Sequence, residues 1–116
     1  MAANECLFCK IVVGDVPADI LYQDDEVLAF HDINPQAPIH ILVIPKQHLD
    51  SLASVADENL NLMGHIMLTA KEIAKDEGLS HSGYRTVINV GADGGQTVNH
   101  LHLHLLGGRA LRWPPG

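Results

Sequence analysis

Residues 100–105 read His-Leu-His-Leu-His-Leu. Side chains of an extended chain point alternately to its two faces, whereas a helical period would scatter both residue types around the axis. The segment therefore reads as a strand, with three leucines turned to a core and three imidazoles turned to the other face. Packing does not call for such a row, because Leu, Val or Thr suits a strand better than His. A solvated face would also mix in Lys, Glu or Thr. The row points to chemistry, on a strand held in a sheet.

The chain around it has 116 residues, of which 47% are hydrophobic. That is the size and composition of a single globular domain, residues 1–116, with one modest core. Apolar spacing over Glu5–Val13 predicts a short helix ended by Gly14 and Pro17. Ile20–Tyr22 and Val27–Phe30 read as strands joined by the acidic turn Gln23–Glu26, and Ile39–Ile44 as a buried strand stopped by Pro45. Over Ser51–Glu77 the period changes. Leu60, Met63, Met67, Ala70 and Ala74 form a helical stripe, with Ser54 or Asp57 to start the helix and Gly78 to end it. Tyr84–Val90 and His100–Leu106 are the last strands, with a glycine-rich loop, Gly91–Gly95, between them. The fold class is α+β: a five-stranded, mainly antiparallel sheet with one long and one short helix.

The formal net charge is −7. Nucleic-acid binding needs clustered Lys and Arg, so that partner is not expected, while a single nucleotide can be held by backbone N–H groups and neutral side chains. No apolar stretch is long enough to span a membrane, and residues 1–5 lack the basic start of a signal peptide. A cytoplasmic location is expected, or an organelle if a transit segment is missing. In a reducing compartment the only two cysteines, Cys6 and Cys9, suggest metal or redox chemistry rather than a structural disulfide.

Two chemistries suit the histidine row. His at i and i+2 can share a metal, as in a zinc hydrolase. Alternatively the central His102 is a metal-free nucleophile, one neighbour orienting its ring and the other bonding a phosphate; neutral imidazole is a good nucleophile near pH 7. The segment Gly91–Thr97 favours phosphate, since its glycines let N–H groups turn toward an anion and Thr97 adds a hydroxyl. Asn89, at the end of the neighbouring strand, could add an amide donor.

HLHLHLL resembles the signature of the histidine triad superfamily. Phe30–His48, Gly83–Arg109 and the terminal Trp-Pro-Pro-Gly resemble its Hint branch, the histidine triad nucleotide-binding proteins. The resemblance runs from Cys6 to Gly116. It implies a homodimeric purine nucleoside phosphoramidase that forms a nucleotidyl-histidine and needs no metal for catalysis, with the sheets joined across the dimer. Its substrates would be phosphoramidates of the adenosine 5′-monophosphoramidate type, releasing AMP or GMP. By motif position, His102 matches the nucleophile, and His104 the α-phosphate contact. His40 matches a further member of the network, and His100 completes the triad.

Asn89 and the turn Gly95–Gln96–Thr97 match phosphate contacts. Asp32 matches the ribose-binding carboxylate, with Phe30 and Ile33 beside the base. Trp113, in the tail 109–116, is expected near the partner's pocket. Thr97 stands where Ser is common, and Asn99 where an aromatic residue is common. Relatives that keep the paired cysteines place a structural zinc on Cys6, Cys9, His48 and His100. A nucleotide-binding scaffold with incidental hydrolysis is the alternative function.

Overall fold

The structure, a computed structural model, describes residues 5–116. Five strands form one sheet: β1 (Ile20–Gln23), β2 (Val27–His31), β3 (Ile39–Pro45), β4 (Arg85–Ile88) and β5 (Leu103–Gly107). Their order is β1-β2-β3-β5-β4, and every neighbouring pair is antiparallel. The chain therefore leaves β3, travels through the long helix, lays down β4 at the edge, and returns to insert β5 between β3 and β4. The insertion sets His104 beside Leu42 on one side and Val87 on the other.

Period-two alternation in the central strands builds two cores, one on each face. Val27, Ala29, Ile41, Val43, Leu103 and Leu105 pack under helix α2 (Leu60–Asp76), against Leu62, Ile66, Ala70 and Ile73. Leu28, Phe30, Leu42 and Ile44 face the other way, onto helix α1 (Leu7–Val12) and its Phe8 and Ile11. With both faces covered, β2 and β3 read as near-continuous apolar runs and are almost wholly buried.

The long helix starts later than its periodicity suggests. Residues 51–59 form two 3₁₀ turns, Leu52–Ser54 and Asp57–Asn59, and Asn59 rather than Ser54 or Asp57 precedes α2. Ser51 is spent on the first turn, where its side chain accepts from the Ala53 N–H. The C-terminal end matches expectation. Gly78 takes φ +76°, the Gly78 N–H donates to the Lys75 carbonyl, and the Leu79 N–H to the Ala74 carbonyl. This turn drives Leu79 onto β5, where a Cβ on Gly107 would lie 2.6 Å from a Leu79 methyl. A side chain at Gly107, the one glycine of the strand, would therefore require Leu79 to shift. Gly91–Gly94, expected to be loop, is a single helical turn, α3.

Candidate active site

The alternation of residues 100–105 persists although the regular strand begins only at Leu103. Leu101, Leu103 and Leu105 all belong to the core under α2. The three histidines lie on the opposite side, but they divide. His102 and His104 line a pocket of about 230 Å³, while His100 turns into the cysteine pair.

The pocket lies between α1, the end of β2 and the start of β5. Its apolar wall comes from Leu7, Phe8 and Ile11 of α1, and from Phe30 of β2. The Phe8 ring meets His102 edge-on, with centroids 5.2 Å apart, and Phe30 at 5.5 Å. Polar groups converge on the other side: Asp32, Thr97, His102 and His104. A mostly apolar cleft with a few fixed polar groups is the usual form of a small-molecule site.

Hydrogen bonds fix the ring tautomers. His102 Nδ1 lies 2.7 Å from the His100 carbonyl, which can only accept, so Nδ1 carries the proton and Nε2 keeps its lone pair. His40 Nδ1 accepts the Gln36 N–H at 3.0 Å, so the His40 proton sits on Nε2. That Nε2–H donates to His104 Nδ1, 2.9 Å away, which leaves the His104 proton on Nε2. The chain Gln36–His40–His104 therefore ends in an N–H donor on His104, whose ring lies with its centroid 4.9 Å from that of His102 in the same pocket. Burial pushes His104 down to about 4, with neighbouring His102 and His40 adding to it. Burial also lowers His40, and Asp32, at 3.4 Å from its Nε2, offsets part of that shift. Both shifts favour the neutral rings.

Two groups of metal-ligating side chains are close enough to share an ion among the described residues. In the first, Cys6, Cys9, His48 and His100 face one another. His48 Nδ1 lies 3.2 Å from Cys9 Sγ, and His100 Nδ1 lies 3.4 Å from Cys6 Sγ and 3.5 Å from Cys9 Sγ. The far nitrogens are held by acceptors, His100 Nε2 by the Pro45 carbonyl at 2.8 Å and His48 Nε2 by Asp50 at 2.8 Å. Protons are thereby kept on Nε2, and both Nδ1 lone pairs face the sulfurs, as metal ligation requires. Burial, followed by the neighbouring Cys6, pushes the Cys9 thiol up to about 11. The second group, Asp32, His40 and His104, does not fit a metal. The Gln36 N–H occupies His40 Nδ1 and forces a proton onto the nitrogen that would ligate.

Other residues singled out in the sequence fall as follows. Ile33 lines the pocket mouth and is almost fully exposed. Asn89 is half-buried just past β4, beside Gly94, and is not on the pocket wall. Gly95 caps α3 with φ +84°. Gln96 does not offer its side chain to a ligand: Nε2 donates to the Asp50 and Val98 carbonyls, and Oε1 accepts the Gly91 N–H. Its amide ties the glycine turn to the loop after β3. His100 is fully buried and contributes its carbonyl, rather than its ring, to the His102 geometry. Trp113 is exposed. Sequence reasoning missed the pocket wall from α1 and the role of the Gln36 N–H. Phe8 beside Leu7 and Ile11 gave a signal, since three apolar residues in five exceed what one buried stripe needs.

A two-sided antiparallel sheet that carries a row of three histidines, and turns two of them with locked tautomers into an apolar pocket, defines a protein of the histidine triad type. The HIT domain pattern matches residues 13–111, and the chain belongs to the HIT family. An uncharacterised HIT-like protein of Synechococcus elongatus is 58% identical over 98% of this chain and 99% of its own length. One from a Synechocystis strain is 53% identical with the same coverage. The crystal structure of a HIT family hydrolase from Legionella pneumophila superposes with a TM-score of 0.94 at 53% identity, covering 96% of this chain and 99% of that one. A histidine triad protein from Clostridium difficile gives 0.92 at 47% identity, with 97% of each chain covered.

Proposed function

We propose that the protein is a nucleotide hydrolase that cleaves the P–N bond of purine nucleoside phosphoramidates through a nucleotidyl-His102 intermediate. The observation that carries this reading is the 2.7 Å bond from His102 Nδ1 to the His100 carbonyl, which in the neutral imidazole puts the proton on Nδ1 and keeps the Nε2 lone pair for the substrate. Nε2 attacks the α-phosphorus, the P–N bond breaks, and the amine departs with the bonding pair and takes up a proton. Water then attacks the same phosphorus, restores the imidazole and releases the nucleoside monophosphate. The His104 Nε2–H and the Thr97 hydroxyl meet charge on the phosphoryl oxygens. Asn89 joins them if the glycine turn closes on the ligand. Asp32 accepts the ribose hydroxyls, and the base lies between Phe8, Ile11, Phe30 and Ile33.

The cysteine–histidine group fits a structural zinc, held by Cys6, Cys9, His48 and His100. The ion would supply a cross-link between α1 and the sheet, and no catalytic step passes through it. The Hint-type homodimer completes the proposal.

The test is direct. Intact-mass analysis of a quenched reaction with adenosine 5′-monophosphoramidate should show one adenylyl group on the wild type. His102→Ala should lose about 10³-fold or more in turnover while still binding AMP. Retention of a tenth of the activity would exclude the covalent route. Tight AMP binding without turnover in the wild type would favour the scaffold reading.

A further inference from the structure

A second cavity, of about 330 Å³, opens on the other side of the sheet from the nucleotide pocket, between β1 and α2. Leu21 and Tyr22 are consecutive, and a regular strand would send them to opposite faces. Both line this groove. The register of β1 against β2 jumps between Ile20 and Tyr22, an irregularity that re-aims Leu21. Leu68 and Ile73 of α2 complete the apolar floor. One carboxylate holds the two walls together. Asp24 accepts from the Tyr22 hydroxyl at 2.7 Å and lies 2.6 Å from His65 Nε2 on the helix.

The rim has one sign of charge. Glu72, Asp76 and Glu77 border the groove, and neither Lys nor Arg is among its lining residues. Lys71 reaches Glu72 only across exposed surface, at 3.8 Å. The groove follows α2 from His65 to Glu77, roughly 18 Å at ~1.5 Å per residue. That length matches about five residues of extended chain.

We propose that this groove docks a basic, apolar segment of a partner protein, its apolar side chains on Leu21, Leu68 and Ile73 and its Lys or Arg side chains on Glu72, Asp76 and Glu77. The length favours a peptide over a compact amine, and the sign of the rim favours a cationic one. The site is independent of the phosphoramidase reading, because none of these residues lines the nucleotide pocket.

The probe is a dye-labelled hexapeptide, Lys-Leu-Lys-Leu-Lys-Leu, followed by fluorescence anisotropy and by amide chemical-shift mapping of the full chain. Shifts should be confined to residues 21–24 and 65–77, and saturating AMP should not displace the peptide. The double variant Glu72→Lys/Asp76→Lys changes only exposed positions, and its fold is checked by circular dichroism. It should bind at least tenfold more weakly, with phosphoramidate turnover unchanged. The proposal is overturned if the variant binds equally well, if shifts spread over the acidic surface generally, or if millimolar peptide gives no shift. It is also overturned if hexylamine displaces the peptide at equal concentration, which would make the groove a small-amine site.

Discussion

At the scale of single residues, the site is a matter of where protons sit. Two backbone groups decide it in the pocket, the His100 carbonyl and the Gln36 N–H, and the Pro45 carbonyl does the same for His100 in the cysteine group. The His104 shift to about 4 has a consequence for stability. Its native value lies below the ordinary 6.5, so between those values the unfolded chain binds a proton that the native chain does not, and stability rises with pH. The contribution is whole above pH 6.5 and is lost as pH falls through about 4. His40, which faces His104, shifts the same way, while Asp32 opposes both and His102 lies beside them. Melting temperature should therefore fall on acidification from pH 7 to 4, and His104→Asn should flatten that decline. An unchanged slope in His104→Asn would show that other groups set it.

Among the elements, α1 carries the most for its six residues. One side holds Cys9 against His48 and His100, with Cys6 just before the helix, and another presents Leu7, Phe8 and Ile11 to the pocket. A helix this short is unstable alone and depends on its tertiary contacts. If zinc holds it as proposed, protein purified without added metal should carry near-stoichiometric zinc by elemental analysis. Chelation or Cys9→Ser should then lower the melting temperature by about 5 °C or more, which corresponds to roughly 1 kcal/mol in a domain of this size. Metal-free protein that melts unchanged with chelator would reject the site. The cysteine spacing was readable in the chain. The pairing of His48 with His100 came from resemblance, and its geometry depends on the fold bringing residues 6, 9, 48 and 100 together.

For the whole molecule, α2 presents apolar surface beyond the core. Leu60 and Met67, seven residues apart on one flank, are exposed, whereas Leu68 lies on the groove flank. The sheet also ends in β4, an edge opposite to β1. A two-fold partner that covers the Leu60–Met67 flank and continues the sheet at β4 would bury both features and leave the acidic groove open. Sedimentation should show a dimer at micromolar concentration, and Met67→Glu should shift it to monomer. Removal of residues 113–116 should change leaving-group selectivity more than it changes melting. A monomeric wild type would reject the dimer.

Much of this fold is local in origin. The alternation of residues 100–105, the buried run of β3, the stripe of α2 and the glycine that ends it are each set by neighbours within a few residues, so the amino-acid order alone determined the α+β class, the five strands and the two-sided role of the histidine segment. The sequence also marked His100, His102 and His104 as a row with chemistry in it, because nothing in packing asks for three imidazoles there. The insertion of β5 between β3 and β4, the late start of α2 and the division of the histidine row were decided only in three dimensions. So were the internal use of Gln96 and the groove made by Leu21 and Tyr22. These features depend on contacts between residues up to 94 positions apart, as in the meeting of Cys6 with His100. Periodicity records which face a side chain prefers; only packing chooses which distant carbonyl, amide or sulfur that face will meet.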